Sequence, residues 1–212
     1  MTKRKVSDAV IRRLPKYYRY LDELHENGIT RISSHQLADE MGFTASQIRQ
    51  DLNCFGGFGQ QGYGYGVEKL RSEISAILGL QDMRGAILIG AGNLGRALLG
   101  NFDFESCGFR MLAAFDVASE VVGKKVNGVD VLALDSLDEF IKAHSAELAV
   151  LTMPGDETRE IAKRLEALGV KGVWNFTSRE LRADETNMCV ETVHFTESLM
   201  ALCYKVNEEG KA

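Results

Sequence analysis

Three glycines and one carboxylate have the types and spacing that could do recognisable chemistry. Gly90-Ala91-Gly92-Asn93-Leu94-Gly95 follows a short apolar run, Ala86 to Ile89. A helical pattern comes next, and a second apolar run closes on Asp116, 26 residues after Gly90. This is the order of parts that a βαβ dinucleotide site requires. Gly90 permits the tight turn out of the strand. Gly92 has no Cβ, so a pyrophosphate can approach the backbone. Gly95 lets the helix pack close to the strand. The free N–H groups at the helix start, around Ala91, Asn93 and Leu94, face the phosphates. Asp116, with Val117 beside it, stands where a carboxylate accepts both ribose hydroxyls and repels a 2′-phosphate. The pattern therefore predicts NAD or NADH in preference to NADP. The competing reading is a flavodoxin-like or other α/β domain whose glycines serve packing alone.

A second group of residues suits phosphates and base edges. Ser33 to Met41 opens with a capping box, Ser33 to Gln36, and Gly42-Phe43 reads as a tight turn. A further helix begins at Thr44, again with a box to Gln47, and runs to Leu52. Two short helices around a glycine turn make a helix-turn-helix. Leu37, Met41, Ile48 and Leu52 form the expected buried faces. Ser46, Gln47, Arg49 and Gln50 face outward, next to Ser34 and Thr44. Six glycines then fall within residues 56–66, with aromatics among them, which excludes a helix. Gly59-Gln60-Gln61-Gly62 reads as the tip of a hairpin, a wing able to enter the minor groove. The alternative is a small helical dimerisation or lid domain.

These groups need elements to hold them. Val10, Leu14, Tyr17, Leu21 and Leu24 give Ser7 to Asn27 a helical period, with Ser7 as cap and Gly28 as stop. Pro15 either kinks this helix or splits off residues 1–14. Val67 to Leu80 is helical again. Beyond Asp116, strands are expected at Val129–Leu134, Leu148–Met153, Gly172–Phe176 and Val190–Phe195. Helices are expected at Ser136–His144, Asp156–Leu168 and Thr196–Val206. This βα alternation predicts a doubly wound parallel sheet. Ligands lie at the carboxyl ends of such strands, which puts Met153, Pro154, Asn175 and Phe176 beside the nicotinamide half. Asn175 either bonds the cofactor or caps a strand turn. Lys124 and Lys125 either answer an NADP phosphate or decorate a hairpin before Asn127-Gly128. Phe195, Leu199, Leu202, Cys203 and Val206 share one face of the last helix, which docks on its own domain or on a second subunit.

Composition sets the outer limits. The chain has 212 residues, 45% of them apolar, enough for one large or two small domains. No apolar run approaches a membrane span, and no signal core follows the basic start, so a soluble cytoplasmic protein is expected. The four cysteines form no CxxC, which speaks against zinc or a disulfide framework. Redox chemistry at Cys54, near the candidate DNA helix, is the minor alternative to buried reduced thiols. The net charge is −5, yet residues 1–84 hold 12 basic against 10 acidic side chains and residues 85–212 hold 13 against 20. Residues 1–20 hold seven bases and one acid. The basic end is where a phosphate backbone would be met.

The chain resembles the Rex family of redox-sensing transcriptional repressors over nearly its whole length. The resemblance rests on Arg13-Leu14-Pro15-Lys16-Tyr17-Tyr18-Arg19-Tyr20-Leu21, Ile32-Ser33-Ser34, Gln47 to Leu52, Phe58 to Tyr65, Gly90 to Gly95 and Asn175-Phe176. It implies a homodimer with winged helices over about 1–80, Rossmann-like NAD(H)-binding domains over 85–195, and a terminal helix, 196–212, swapped into the partner. It implies that Phe195 is the aromatic of the nicotinamide pocket. It further implies that NAD permits binding to a palindromic double-stranded DNA operator and that NADH favours a closed dimer that leaves it. A pocket of Phe195, Met153 and Pro154 would prefer the neutral reduced ring over the charged oxidised one.

Three positions depart from the family pattern. His194 stands where an acidic residue commonly pairs with an N-terminal arginine, here Arg19. It makes the switch pH-sensitive or is a surface histidine at a strand end. Gln50 and Gln61 stand where basic residues are frequent, which shifts DNA affinity onto Lys16, Arg19 and Arg49. A dehydrogenase is the rival function. It needs a general acid or base at the nicotinamide, for which only His144 and His194 offer themselves. No Tyr-x-x-x-Lys pair falls on a suitable helix, and little chain remains for a substrate domain. A plain nucleotide-binding module leaves the helix-turn-helix unexplained.

Overall fold

The computed structural model describes residues 6–58 and 63–209. The chain divides into two units, Met1–Gln81 and Asp82–Ala212. In the first, the expected N-terminal helix is two: α1 (Asp8–Ile11) and α2 (Leu14–Glu26). The break has a local cause. Pro15 has no N–H for the carbonyl of Ile11, and its ring crowds that position, but in the first turn of α2 the missing donor costs nothing. The Ser7 side chain makes no capping bond. Gly28, at φ 72°, ends α2 in the left-handed conformation. A two-residue strand β1 (Arg31–Ile32) leads into α3 (Ser34–Met41) and α4 (Ala45–Asn53). Strand β2 (Tyr65–Gly66) returns antiparallel to β1 and runs directly into α5 (Val67–Leu78). Gly64 makes the return possible: its φ is 69°, and a Cβ there would lie 2.6 Å from the carbonyl oxygen of Ile32.

The capping box on α3 is complete. Ser33 Oγ accepts the Gln36 N–H at 3.2 Å, and Gln36 Oε1 accepts the Ser33 N–H at 2.9 Å. The box on α4 is half-formed: Thr44 accepts the Gln47 N–H, but the Gln47 amide turns elsewhere. Leu14, Tyr17, Leu21, Leu37, Ile48, Leu52, Leu70 and Ile74 make the core of this unit. Each such aliphatic side chain contributes roughly 1.5–3 kcal/mol by leaving water. Met41 lies half-buried at the core's edge.

The second unit runs β3 (Arg84–Ile89), α6 (Asn93–Asn101), β4 (Phe109–Asp116), β5 (Lys125–Val126), β6 (Val129–Ala133), α7 (Leu137–Ala143), β7 (Ala146–Leu151), α8 (Thr158–Ala167), β8 (Gly172–Asn175), β9 (Cys189–Thr192) and α9 (Phe195–Glu209). The sheet order is β5-β6-β4-β3-β7-β8-β9, parallel throughout except for β5 against β6. Without β5, this is the Rossmann order, reversing direction between β3 and β7. The strands bury both faces in two apolar clusters, one with Leu137, Ile141 and Leu165 of α7 and α8, the other with Leu99 of α6. Helix α9 stands apart from both clusters. Leu199, Met200, Leu202 and Val206 are each more than half exposed. Phe195 opens α9 and does not end β9, which stops at Thr192. Among the described residues, no helix is long and apolar enough to cross a membrane, and no group of side chains could hold a metal ion.

Candidate dinucleotide site and nucleic-acid interface

The strand order reverses where β3 and β7 end side by side, and the glycine turn lies there. Gly90 has φ 99°, and a Cβ on it would stand 2.8 Å from the Met153 nitrogen. A Cβ on Gly95 would overlap the Gly90 carbonyl and crowd Thr152. Both glycines are therefore explained by packing. Gly92 is not. Its φ of −71° and ψ of −161° suit any residue, and a Cβ on it would meet nothing within 4 Å. The packing-only reading has no account of Gly92, whereas a ligand approaching the backbone there does. Gly92 is the N-cap of α6 and supplies no side-chain cap, so the N–H groups of the first turn stay available to an anion. Ala91 lies buried beneath them.

Asp116 sits against this turn. One carboxylate oxygen accepts the Ala91 N–H at 2.6 Å and the other accepts the Ala118 N–H at 2.8 Å. Each oxygen keeps a lone pair for a ribose hydroxyl. Val117 next to it is exposed. Thr152 was not foreseen: its hydroxyl donates to the Gly90 carbonyl at 2.6 Å and ties the glycine turn to the end of β7. Met153 is half-buried and Pro154 exposed at the same end. Phe195 is exposed, its ring 6.0 Å from that of Phe176.

Asn175 requires a correction. It is fully buried, its amide donates to the Arg179 carbonyl at 2.7 Å, and its oxygen accepts both the N–H and the hydroxyl of Thr177. It caps the turn after β8 and has nothing left for a cofactor. Lys125 belongs to a hairpin: it pairs with Asp130 at 3.2 Å across Asn127-Gly128, both at positive φ. His144 stacks on Phe140.

In the first unit, Arg49 of α4 meets Ser34 at the start of α3, and Thr44 meets Ser46 at the start of α4. Arg49 donates to Ser34 Oγ at 3.0 Å, and the Thr44 and Ser46 hydroxyls lie 3.0 Å apart. Gln50 is exposed beside them. Lys16 and Arg19 project from the exposed side of α2, and the Lys16 ammonium lies 5.8 Å from the Phe43 ring centre in the turn. Gln47 departs from expectation. It is half-buried, and its amide donates to Asp51 at 2.8 Å, so it points inward and not toward bases. Gln60 and Gln61, at the expected wing tip, lie outside the described residues.

Sequence reasoning assigned no role to Asp51. It is buried on α4, where Arg13 grips both oxygens at 2.6 and 2.8 Å and the Tyr17 hydroxyl donates at 2.6 Å. Burial pushes this carboxyl up. The hydrogen bonds from Arg13, Tyr17 and Gln47 together outweigh it, and the group titrates below its ordinary range. Burial, followed by the bond to Asp51, pushes the Tyr17 phenol up. The signal was present: residues 48, 51 and 52 share one helix face, so an acid sat among the residues expected to be buried.

This architecture defines a class: a helix-turn-helix unit followed by a dinucleotide-binding Rossmann unit. Known proteins agree. Residues 5–53 match the family described as putative DNA-binding protein N-terminus, and residues 81–179 match the CoA binding domain family. The redox-sensing transcriptional repressor Rex of Clostridioides difficile strain 630 is 50% identical over 206 residues, covering 97% of each chain. That of Thermoanaerobacter pseudethanolicus is 46% identical, covering 98% of this chain and 92% of its own. The crystal structure of RSP in complex with β-NAD+ and operator DNA is similar at a TM-score of 0.91 and 45% identity, covering 98% of this chain and 95% of that one. RSP in complex with β-NADH gives 0.88 and 42%, covering 98% and 97%. The chain belongs to the Rex family of redox-sensing transcriptional repressors.

Proposed function

We propose that this protein is a DNA-binding transcriptional repressor that senses the NADH/NAD ratio and is released from its operator by NADH. It is a regulator and not an enzyme. One observation carries the cofactor half of this reading: Gly92 alone of the three motif glycines has open space where a Cβ would stand, above an uncapped helix start. Gly92, Asn93 and Leu94 at the start of α6 hold the pyrophosphate, while Ala91 and Gly95 support them from below, Ala91 through its N–H to Asp116 and Gly95 by close packing on the Gly90 turn. Asp116 takes the ribose, with Val117 at its rim. Met153, Pro154 and Phe195 surround the nicotinamide. The cofactor supplies a ring that is charged when oxidised and neutral when reduced. An apolar surround discriminates between the two by desolvation, and only such differential affinity can shift a conformational equilibrium.

The operator is a palindromic duplex, bound by a homodimer acting in the cytoplasm. Lys16 and Arg19 meet phosphates. Arg49, Gln50, Ser46, Thr44 and Ser34 meet the groove. Two features support the dimer. The apolar residues of α9 lie open, and the α6 side of the sheet leaves a hollow of about 750 Å³ beside Phe102, Phe104 and Trp174. Parallel sheets are covered on both faces, so such surfaces call for a second subunit. The decisive experiment titrates the protein–duplex complex with NADH at fixed salt. Release at low NADH, opposed by excess NAD, is expected. A complex indifferent to NADH would overturn the reading.

A further inference from the structure

Among the described residues, Asp51 is the only acidic or basic side chain that is fully buried. Its acceptors are saturated. Oδ2 takes Arg13 Nε and the Tyr17 hydroxyl, both at 2.6 Å, while Oδ1 takes Arg13 Nη2 and Gln47 Nε2, both at 2.8 Å. Arg13 is the N-cap residue of α2 and Tyr17 lies one turn further on, so two of the three donors tie α4 to α2. Net stability does not explain such a node. The desolvation of a buried ion pair roughly cancels its attraction, and apolar side chains of the same size do as well or better. What a bidentate guanidinium–carboxylate fork supplies is geometry, because it fixes the angle between the two groups that it joins. The surrounding contacts of Leu14, Leu21, Ile48 and Leu52 are non-directional and set that angle less sharply.

The two helices joined in this way have different tasks at a duplex. Helix α2 exposes Lys16 and Arg19, whereas α4 exposes Arg49 and Gln50. Phosphate contacts set where a protein sits on DNA, and base contacts read the sequence there. Reading is accurate only if the two sets keep a fixed offset. We propose that Asp51 is a positioning residue for operator specificity: by holding Arg13, Tyr17 and Gln47 it locks the base-facing helix to the phosphate-facing helix and so sets the preference for operator over other duplexes. This rests on the DNA-binding reading above and adds a residue that itself touches no DNA.

The test uses the full chain with Asp51→Asn and, separately, the apolar pair Arg13→Met with Asp51→Leu. Affinity is measured for the palindrome that the parent protein selects from a randomised duplex pool, and for a scrambled duplex of the same composition. Circular dichroism gives the folded fraction in the same buffer. The operator-to-scrambled ratio is expected to fall on the order of tenfold in both variants, the discrimination of about one base contact. Affinity for the scrambled duplex and its salt slope stay near the parent's, because Lys16 and Arg19 remain. A node that serves folding alone would lower both affinities by the same factor and leave the ratio unchanged, which overturns the proposal. If Asp51→Asn fails to fold, the apolar pair decides the matter, since it leaves no buried charge unpaired; a parent-like ratio in that pair likewise overturns it. A parent that selects no duplex at all overturns the DNA-binding reading itself.

Discussion

Replacing Gly92 by alanine separates ligand space from packing. The change adds one methyl group at a backbone conformation open to any residue, pointing where the protein has no atom within 4 Å. Two small effects on folding oppose one another. Removing a glycine from the unfolded chain stabilises by about 0.4–1 kcal/mol. Alanine is a poorer N-cap than glycine by a similar amount. The thermal midpoint should therefore stay within a few degrees of the parent's, as about 1 kcal/mol moves a domain of this size by roughly 2–8 °C. Cofactor binding is a different matter. A methyl group between the turn and a pyrophosphate removes at least one N–H bond to a charged oxygen, worth about 1.5–3 kcal/mol. NADH should then bind roughly 10- to 150-fold more weakly. Calorimetric titration of NADH into Gly92→Ala, alongside a melt followed by circular dichroism, measures both quantities. Parent-like NADH affinity in a normally folded Gly92→Ala would refute the reasoning. Gly90→Ala makes the contrast: at φ 99°, with Met153 backbone 2.8 Å from the new atom, it should lose stability and binding together.

Other expectations follow from the same geometry. Arg49→Gln should weaken operator binding about 5- to 150-fold and leave calorimetric NADH affinity unchanged, because the hydrogen bond that Arg49 makes among the described residues is to Ser34 of the same unit. Stability of the N-terminal unit should depend on acid through Asp51. Its folded-state titration is depressed, so its contribution is present above the ordinary carboxylate range and is lost as pH falls through the depressed value. Urea unfolding followed down the acid range should show that loss in the parent and a flatter profile in Asp51→Asn. Leu199→Glu on the open face of α9 should shift the protein toward monomer in sedimentation and weaken binding to a palindrome more than to a half-site.

Local chemistry made much of this protein legible in its sequence. The box at Ser33 and Gln36, the glycine stops at Gly28 and Gly42, and the strand–glycine–helix order at Gly90 to Gly95 each depend on residues a few positions apart. Periodicity was sufficient for the same reason: a parallel strand buried on both faces reads as an unbroken apolar run, and a half-buried helix repeats every three or four residues. Tertiary structure decided whatever depended on distant partners. Gln47 fits an outward reader or an inward donor equally well until Asp51, buried by Arg13 and Tyr17 from 34 and more residues away, claims its amide. Asn175 has an amide suited to a cofactor until Thr177 and Arg179 consume it. The three motif glycines look alike as letters, and only the approach of Thr152 and Met153 from β7 shows which are packed and which is open. Short-range order is encoded by spacing along the chain, whereas the use of each polar group is settled by what the fold brings within hydrogen-bond reach.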